Sequence, residues 1–201
     1  MRFTLALATV AFSTVAFAQS DIFQVRYAAN LNIGDSFVDV TNTGATVAAG
    51  ASQNICANIY TFDPAEEMIS CCSCVVTPNG LQSLSVLKSL ISNPLTPAIP
   101  TSVVIKILAT ADATCNASFG SSTAHGLLAW GTTLHQNTSG IAVPPAATYS
   151  MTETAFSQAT LSGPEFEHLY STCGFIQSNG SGFGICKGCA AGGLGASTSI
   201  H

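Results

Sequence analysis

The stretch NICANIYTFDPAEEMISCCSCVV, residues 54–76, decides the fold. Its flanks, 54–62 and 68–76, are rich in β-branched, aromatic and cysteine side chains. Between them lies Asp63-Pro64-Ala65-Glu66-Glu67, where proline presets a turn φ and aspartate can bond the backbone two residues on. The stretch therefore reads as an antiparallel hairpin. If Phe62 sits opposite Met68 and the ladder runs unbroken, Cys56 faces Cys74 with Cβ atoms about 4.5–5.5 Å apart, near disulfide reach. Cys56–Cys74 is the best single pair expected on this register; a slip gives Cys56–Cys72 instead. Side chains alternate along a strand, so Cys72 and Cys74 share one face and Cys71 points to the other.

Outward from the hairpin, more short strands follow. Phe23, Val25 and Tyr27 alternate with Gln24 and Arg26 over 22–28, and SFVDVT over 36–41 is a second strand with Val38 and Val40 on one face. LQSLSV at 81–86 continues the meander after Thr77-Pro78-Asn79-Gly80, while the prolines of 93–100 demand a loop or edge. TSVVIKILAT at 101–110 is apolar on both faces apart from Lys106 and reads as a buried central strand. GLLAWGTTLH at 126–135 and TYSMTETAFSQAT at 148–160 complete the set. Strands separated by turn signals, without regular helical crossovers, point to an all-β, antiparallel sandwich. The layout, with VDVTNTGA in an early strand, resembles the broad class of bacterial extracellular immunoglobulin-like modules; the resemblance covers architecture and transfers no functional residue.

The pattern changes at Leu161. Ser162 and Glu165 match a capping box, and Leu161 with Phe166 a hydrophobic staple. Phe166, Leu169, Tyr170, Cys173 and Ile176 fall on one helical face. The expected fold is thus an immunoglobulin-like β-sandwich with one C-terminal helix and a disulfide-tied, Gly-rich tail. Its segments are a signal peptide at 1–18, the sandwich at 19–160, the helix and Cys-containing appendage at 161–190, and a flexible tail at 191–201.

The signal peptide rests on Arg2, the apolar run 4–15 and Ala16-Phe17-Ala18, with cleavage expected after Ala18. The run is too short to span a bilayer, so no membrane span is expected after cleavage and the protein is placed outside the cell or in the periplasm. Charged residues are 7% of the chain and the formal net charge is −5. So few basic residues cannot hold a phosphate backbone, which excludes nucleic acid as a partner. Scarce charge also lowers repulsion between copies.

All eight cysteines, Cys56, Cys71, Cys72, Cys74, Cys115, Cys173, Cys186 and Cys189, lie beyond the signal peptide. An even count in an oxidising compartment implies a disulfide framework. Cys173, Cys186 and Cys189 are placed to clamp the helix and tail to the sheet, with Cys115 free to pair with any of them. Three alternatives stand beside this. Cys72, Cys74, Cys186 and Cys189 offer four thiolates to a metal such as zinc or copper; Cys186-Lys187-Gly188-Cys189 has redox spacing but sits in a Gly-rich tail rather than opening a helix; Cys71–Cys72 could form a vicinal bond.

No catalytic constellation emerges. His125, His135, His168 and His201 show no metal spacing, Glu66 and Glu67 diverge from a turn, and Ser181 among glycines follows no strand. The glycine runs near 180–195 are not phosphate cradles. Asn116, Asn137 and Asn179 head glycosylation sequons, and Trp130, alternating with Leu128 and Leu134, is assigned to the core. The sequence therefore indicates a secreted structural or surface-interaction protein, not an enzyme and without a cofactor. Its partner is a protein or cell surface, or the protein itself by donating the Phe23/Val25/Tyr27 strand to a neighbour's sheet. A small extracellular ligand- or metal-binding module using the cysteine cluster is the alternative.

Overall fold

The structure is a computed structural model that describes residues 21–45, 53–137 and 148–189. The signal peptide and the tail at 191–201 lie outside the described residues. Among the described residues nine strands and one α-helix follow in chain order: β1 (Phe23–Ala28), β2 (Phe37–Asn42), β3 (Ile55–Phe62), β4 (Met68–Val76), β5 (Leu81–Ser85), β6 (Val103–Thr110), β7 (Leu127–Asn137), β8 (Thr148–Ala155), β9 (Ser157–Gln158) and α1 (Gly163–Ser178). They form two antiparallel sheets, one ordered β4-β3-β6-β1-β9 and the other β5-β2-β7-β8.

The sheets share one core. Val38, Val40, Leu127 and Ala129 of the second sheet meet Ala57, Ile59, Ile105 and Ile107 of the first. The first sheet also carries a core on its outer face, where Phe23, Tyr60 and Leu108 pack under Leu169, Cys173 and Ile176 of α1. Burial on both faces explains why β3 and β6 read as continuous apolar runs. Lys106, the polar exception in β6, faces outward, bonds Glu165 at 2.6 Å and lies 4.4 Å over the Phe62 ring. Glu165 is thereby drawn away from the capping box. Ser162 still caps α1 by accepting from the Glu165 amide at 3.2 Å.

Tyr60 is buried and its hydroxyl donates to the Ala117 carbonyl at 2.9 Å. Burial pushes the phenol well above its ordinary pKa, so it acts as a fixed donor holding the 111–124 loop on the sheet. Tyr60→Phe leaves that carbonyl unpaired and is expected to cost about 1–2 kcal/mol, read from denaturant midpoints at unchanged m.

Three local expectations are corrected. The segment 148–160 is not one strand: Phe156 turns into the core with its amide bonded to Ala129, and the chain crosses there from β8 in the second sheet to β9 in the first. A π-helical turn at Val86–Leu90 ends the meander and buries Val86 and Leu90. Trp130 is only half-buried, and Leu128 beside it is exposed; the core-facing residues of β7 are Leu127 and Ala129.

Candidate functional site: the disulfide clamp and the β7–β8 arm

The hairpin of β3 and β4 begins as expected, with Phe62 opposite Met68, but Thr61 then faces Ser70, so Ile69 is an extra residue at a bulge. One added residue moves the remaining ladder by one and exchanges faces. Cys56 consequently lies opposite Val75, and Ala57 opposite Cys74. The expected Cys56–Cys74 bond is replaced by Cys56–Cys115, Cα atoms 5.2 Å apart, on the outer face of the sheet. Next to it Ser73 and Thr110 flank the buried Asn58: the Ser73 hydroxyl donates to Asn58 Oδ1 at 2.6 Å, and Asn58 Nδ2 donates to Thr110 Oγ1 at 2.9 Å.

The other three bonds radiate from β4 to both sides. Cys71, facing outward, is bonded to Cys173 of α1; Cys72 and Cys74, facing the inter-sheet core, are bonded to Cys186 and Cys189. The chain after α1 passes round the β4 edge to reach them. As it passes, Cys71 N–H donates to Gly184 O at 2.9 Å and Cys186 N–H donates to Cys71 O. An exposed strand edge is thus covered by the protein's own tail. The four residues proposed as metal thiolates, Cys72, Cys74, Cys186 and Cys189, are brought together, but as two disulfides. Cys186 and Cys189 accordingly do not pair with each other, nor Cys71 with Cys72, and among the described residues no cysteine is free.

The histidines are dispersed. His125 Nδ1 meets Asp21 at 2.6 Å, His135 Nε2 meets Thr152 Oγ1 at 2.9 Å, and His168 lies exposed on α1. Among the described residues no group of His, Cys, Asp and Glu is arranged for a metal ion. No helix there is long and apolar enough to cross a membrane.

The feature that the sequence did not announce is an arm. β2 pairs with β7 only as far as Gly131, whereas β7 continues to Asn137 paired with β8. Beyond Gly131 these strands form a two-stranded ribbon, held on the β7 side by Asn30 Nδ2 donating to Leu134 O at 2.9 Å. β8 is exposed from Tyr149 to Ala155, with Tyr149 at 50% and Met151 at 64% relative exposure.

Under the arm lies a cleft of about 450 Å³ between β1 and the inner face of the ribbon. Its floor is Arg26. The alternation of β1 is the reverse of its apolar reading: Gln24, Arg26 and Ala28 face the second sheet, while Tyr27 is exposed. The guanidinium crosses β7 at Gly131, where a Cβ would lie 2.6 Å from Arg26 Cδ. Its Nη1 donates to the Thr154 carbonyl at 2.8 Å and to the Thr154 hydroxyl, and its Nη2 to Thr133 Oγ1 at 2.8 Å. Burial lowers the Arg26 pKa from its ordinary value, opposed by the charge of Glu153. β1 itself is hydrogen-bonded along its whole length to β6, so the strand expected to complete a neighbour's sheet is engaged in its own.

Comparison with protein-family models, curated protein sequences and solved structures yields no match.

Proposed function

We propose that this is a secreted, disulfide-locked structural module that acts by surface contact, and that β8 is the strand through which it joins a second copy of itself. The observation that carries the reading is the exposed β8 edge on a ribbon with no third strand among the described residues. Two-stranded ribbons are marginal in water and gain from a further strand, and open edges are the sites of strand addition. In the first sheet the β4 edge is covered by the tail and β9 is only two residues long; in the second sheet β5, at the other edge, has five residues against the eight of β8.

The β8 sequence, TYSMTETA, is self-complementary. In a two-fold antiparallel pairing centred on Met151, Met151 faces its mate and Tyr149 faces Glu153 of the other copy. The one charge on the strand is then never opposite itself, and the exposed apolar side chains lie together. The signal-peptide pattern and the four disulfides support export to an oxidising compartment. The pairings of β2 with β5 and of β3 with β6 match the B–E and C–F neighbours of the immunoglobulin sandwich, whereas those of β2 with β7 and of β1 with β6 have no counterpart there, so the likeness extends only to part of that build.

Met151→Lys tests the reading by placing like charges opposite one another. Sedimentation equilibrium should show a dimer for the parent chain and at least about tenfold weaker association for the variant. The melting temperature should change little, because the side chain is exposed. A parent chain that stays monomeric at high concentration refutes the proposal.

A further inference from the structure

We propose that the cleft beneath the arm binds a carboxylate-bearing sugar, a uronate, with Arg26 holding the acid. The inference is independent of β8 pairing, which uses the outer edge of the ribbon rather than its inner face. Arg26 is only 8% exposed, yet no carboxylate among the described residues lies within ion-pair distance; the ion pairs found are Lys106–Glu165 and His125–Asp21. Glu153 is on the opposite face of β8 and acts on it only through space. A buried cation is ordinarily paired. Here the neighbours of the guanidinium are a carbonyl and two hydroxyls, which neutralise no charge. Of its five N–H donors, Nη2 keeps one to spare and Nε has no partner at all. Gly131 is what allows this placement, because any side chain there would displace the guanidinium.

The walls above Arg26 suit a polyol. Thr133, Thr152, Thr154 and Ser157 line the cleft with hydroxyls, His135 adds a ring nitrogen already bonded to Thr152, and Tyr27 stands exposed at the edge of the cleft. A concavity of this size lies within the range of small-ligand sites. The charge and hydroxyls together select an acidic sugar: Arg26 compensates the carboxylate, which in turn relieves the unpaired cation, and the hydroxyl walls take the ring.

The full-length oxidised protein is titrated with glucuronate and galacturonate, with glucose and acetate as controls, and followed by amide NMR. The expected result is millimolar binding of a uronate that shifts Thr133, Thr152, Thr154 and Tyr27. Glucose and acetate should each bind at least about tenfold more weakly. Arg26→Gln should abolish binding; because Arg26 also ties β1 to β8, Tyr27→Ala, at an exposed position, provides a folded variant and should weaken binding severalfold. Equal binding of glucose overturns the role of the charge, and equal binding of acetate overturns the role of the sugar. Absence of binding to about 50 mM, or unchanged affinity in Tyr27→Ala, overturns the site.

Discussion

Replacing the six cysteines that join β4 to α1 and the tail is expected to destabilise the protein by about 5 kcal/mol and to lower its melting temperature by roughly 10–20 °C. The bonds Cys71–Cys173, Cys72–Cys186 and Cys74–Cys189 span 102, 114 and 115 residues. Each alone would close a long loop, worth about 4–5 kcal/mol in chain entropy. The three contributions do not add, because the bonds close nearly the same loop. Once Cys72–Cys186 is formed, Cys74–Cys189 closes only a small further ring, and removing that pair alone should cost about 2 kcal/mol. Cys56–Cys115, a bond between positions 59 apart in the sequence, joins a different part of the chain, and its removal should cost about 4 kcal/mol. The ranking separates entropy from packing, since all the sulfurs are buried and a pure packing effect would make the pairs alike. Chemical denaturation of each pairwise variant gives the order, and hydrogen exchange at Leu169 and Ile176 reports whether α1 lifts off first. A six-cysteine variant melting within a few degrees of the parent contradicts the clamp.

What could be read in the sequence follows from what each signal contains. Alternation alone divides Cys71 from Cys72 and Cys74, and the structure uses both sides of the strand. Ser162 and Pro164 mark the helix start. The Ile69 bulge has no local signature, and that single residue redirected Cys56 from Cys74 to Cys115. Periodicity shows which residues share a face but not which face is buried. In β1 it grouped Phe23, Val25 and Tyr27 correctly, yet the inter-sheet side belongs to Gln24 and Arg26 because α1 covers the other. A signal was present: an arginine inside a short strand of a chain that is 7% charged. The arm was illegible because ribbon length depends on where β2 begins to pair, and nothing in GLLAWGTTLH marks that point. Trp130 was misplaced for the same reason, its alternation with Leu128 fitting either face of β7.

Gly184→Val is expected to cost about 3 kcal/mol and to leave free thiols after refolding. Its φ is +75°, a left-handed conformation that is costly for a β-branched residue. The space is also closed, since a Cβ would lie 2.6 Å from Ile176 Cγ2 and 3.5 Å from Leu95 Cβ. Gly184 N–H donates to Asn93 O at 2.8 Å while its carbonyl receives Cys71 N–H, so this residue sets the path of the tail round the β4 edge. Cys186 and Cys189 reach Cys72 and Cys74 only along that path. Displacing Gly184 should therefore slow formation of both bonds, which a thiol titration during oxidative refolding detects. Gly182 supplies the control, with φ +76° but nothing within 4 Å of an added Cβ. Gly182→Ala meets the backbone penalty alone and should cost about 1 kcal/mol with normal oxidation. If the two variants oxidise equally well, the close approach at Gly184 does not guide the tail, and the cysteines find their partners by packing of α1 alone.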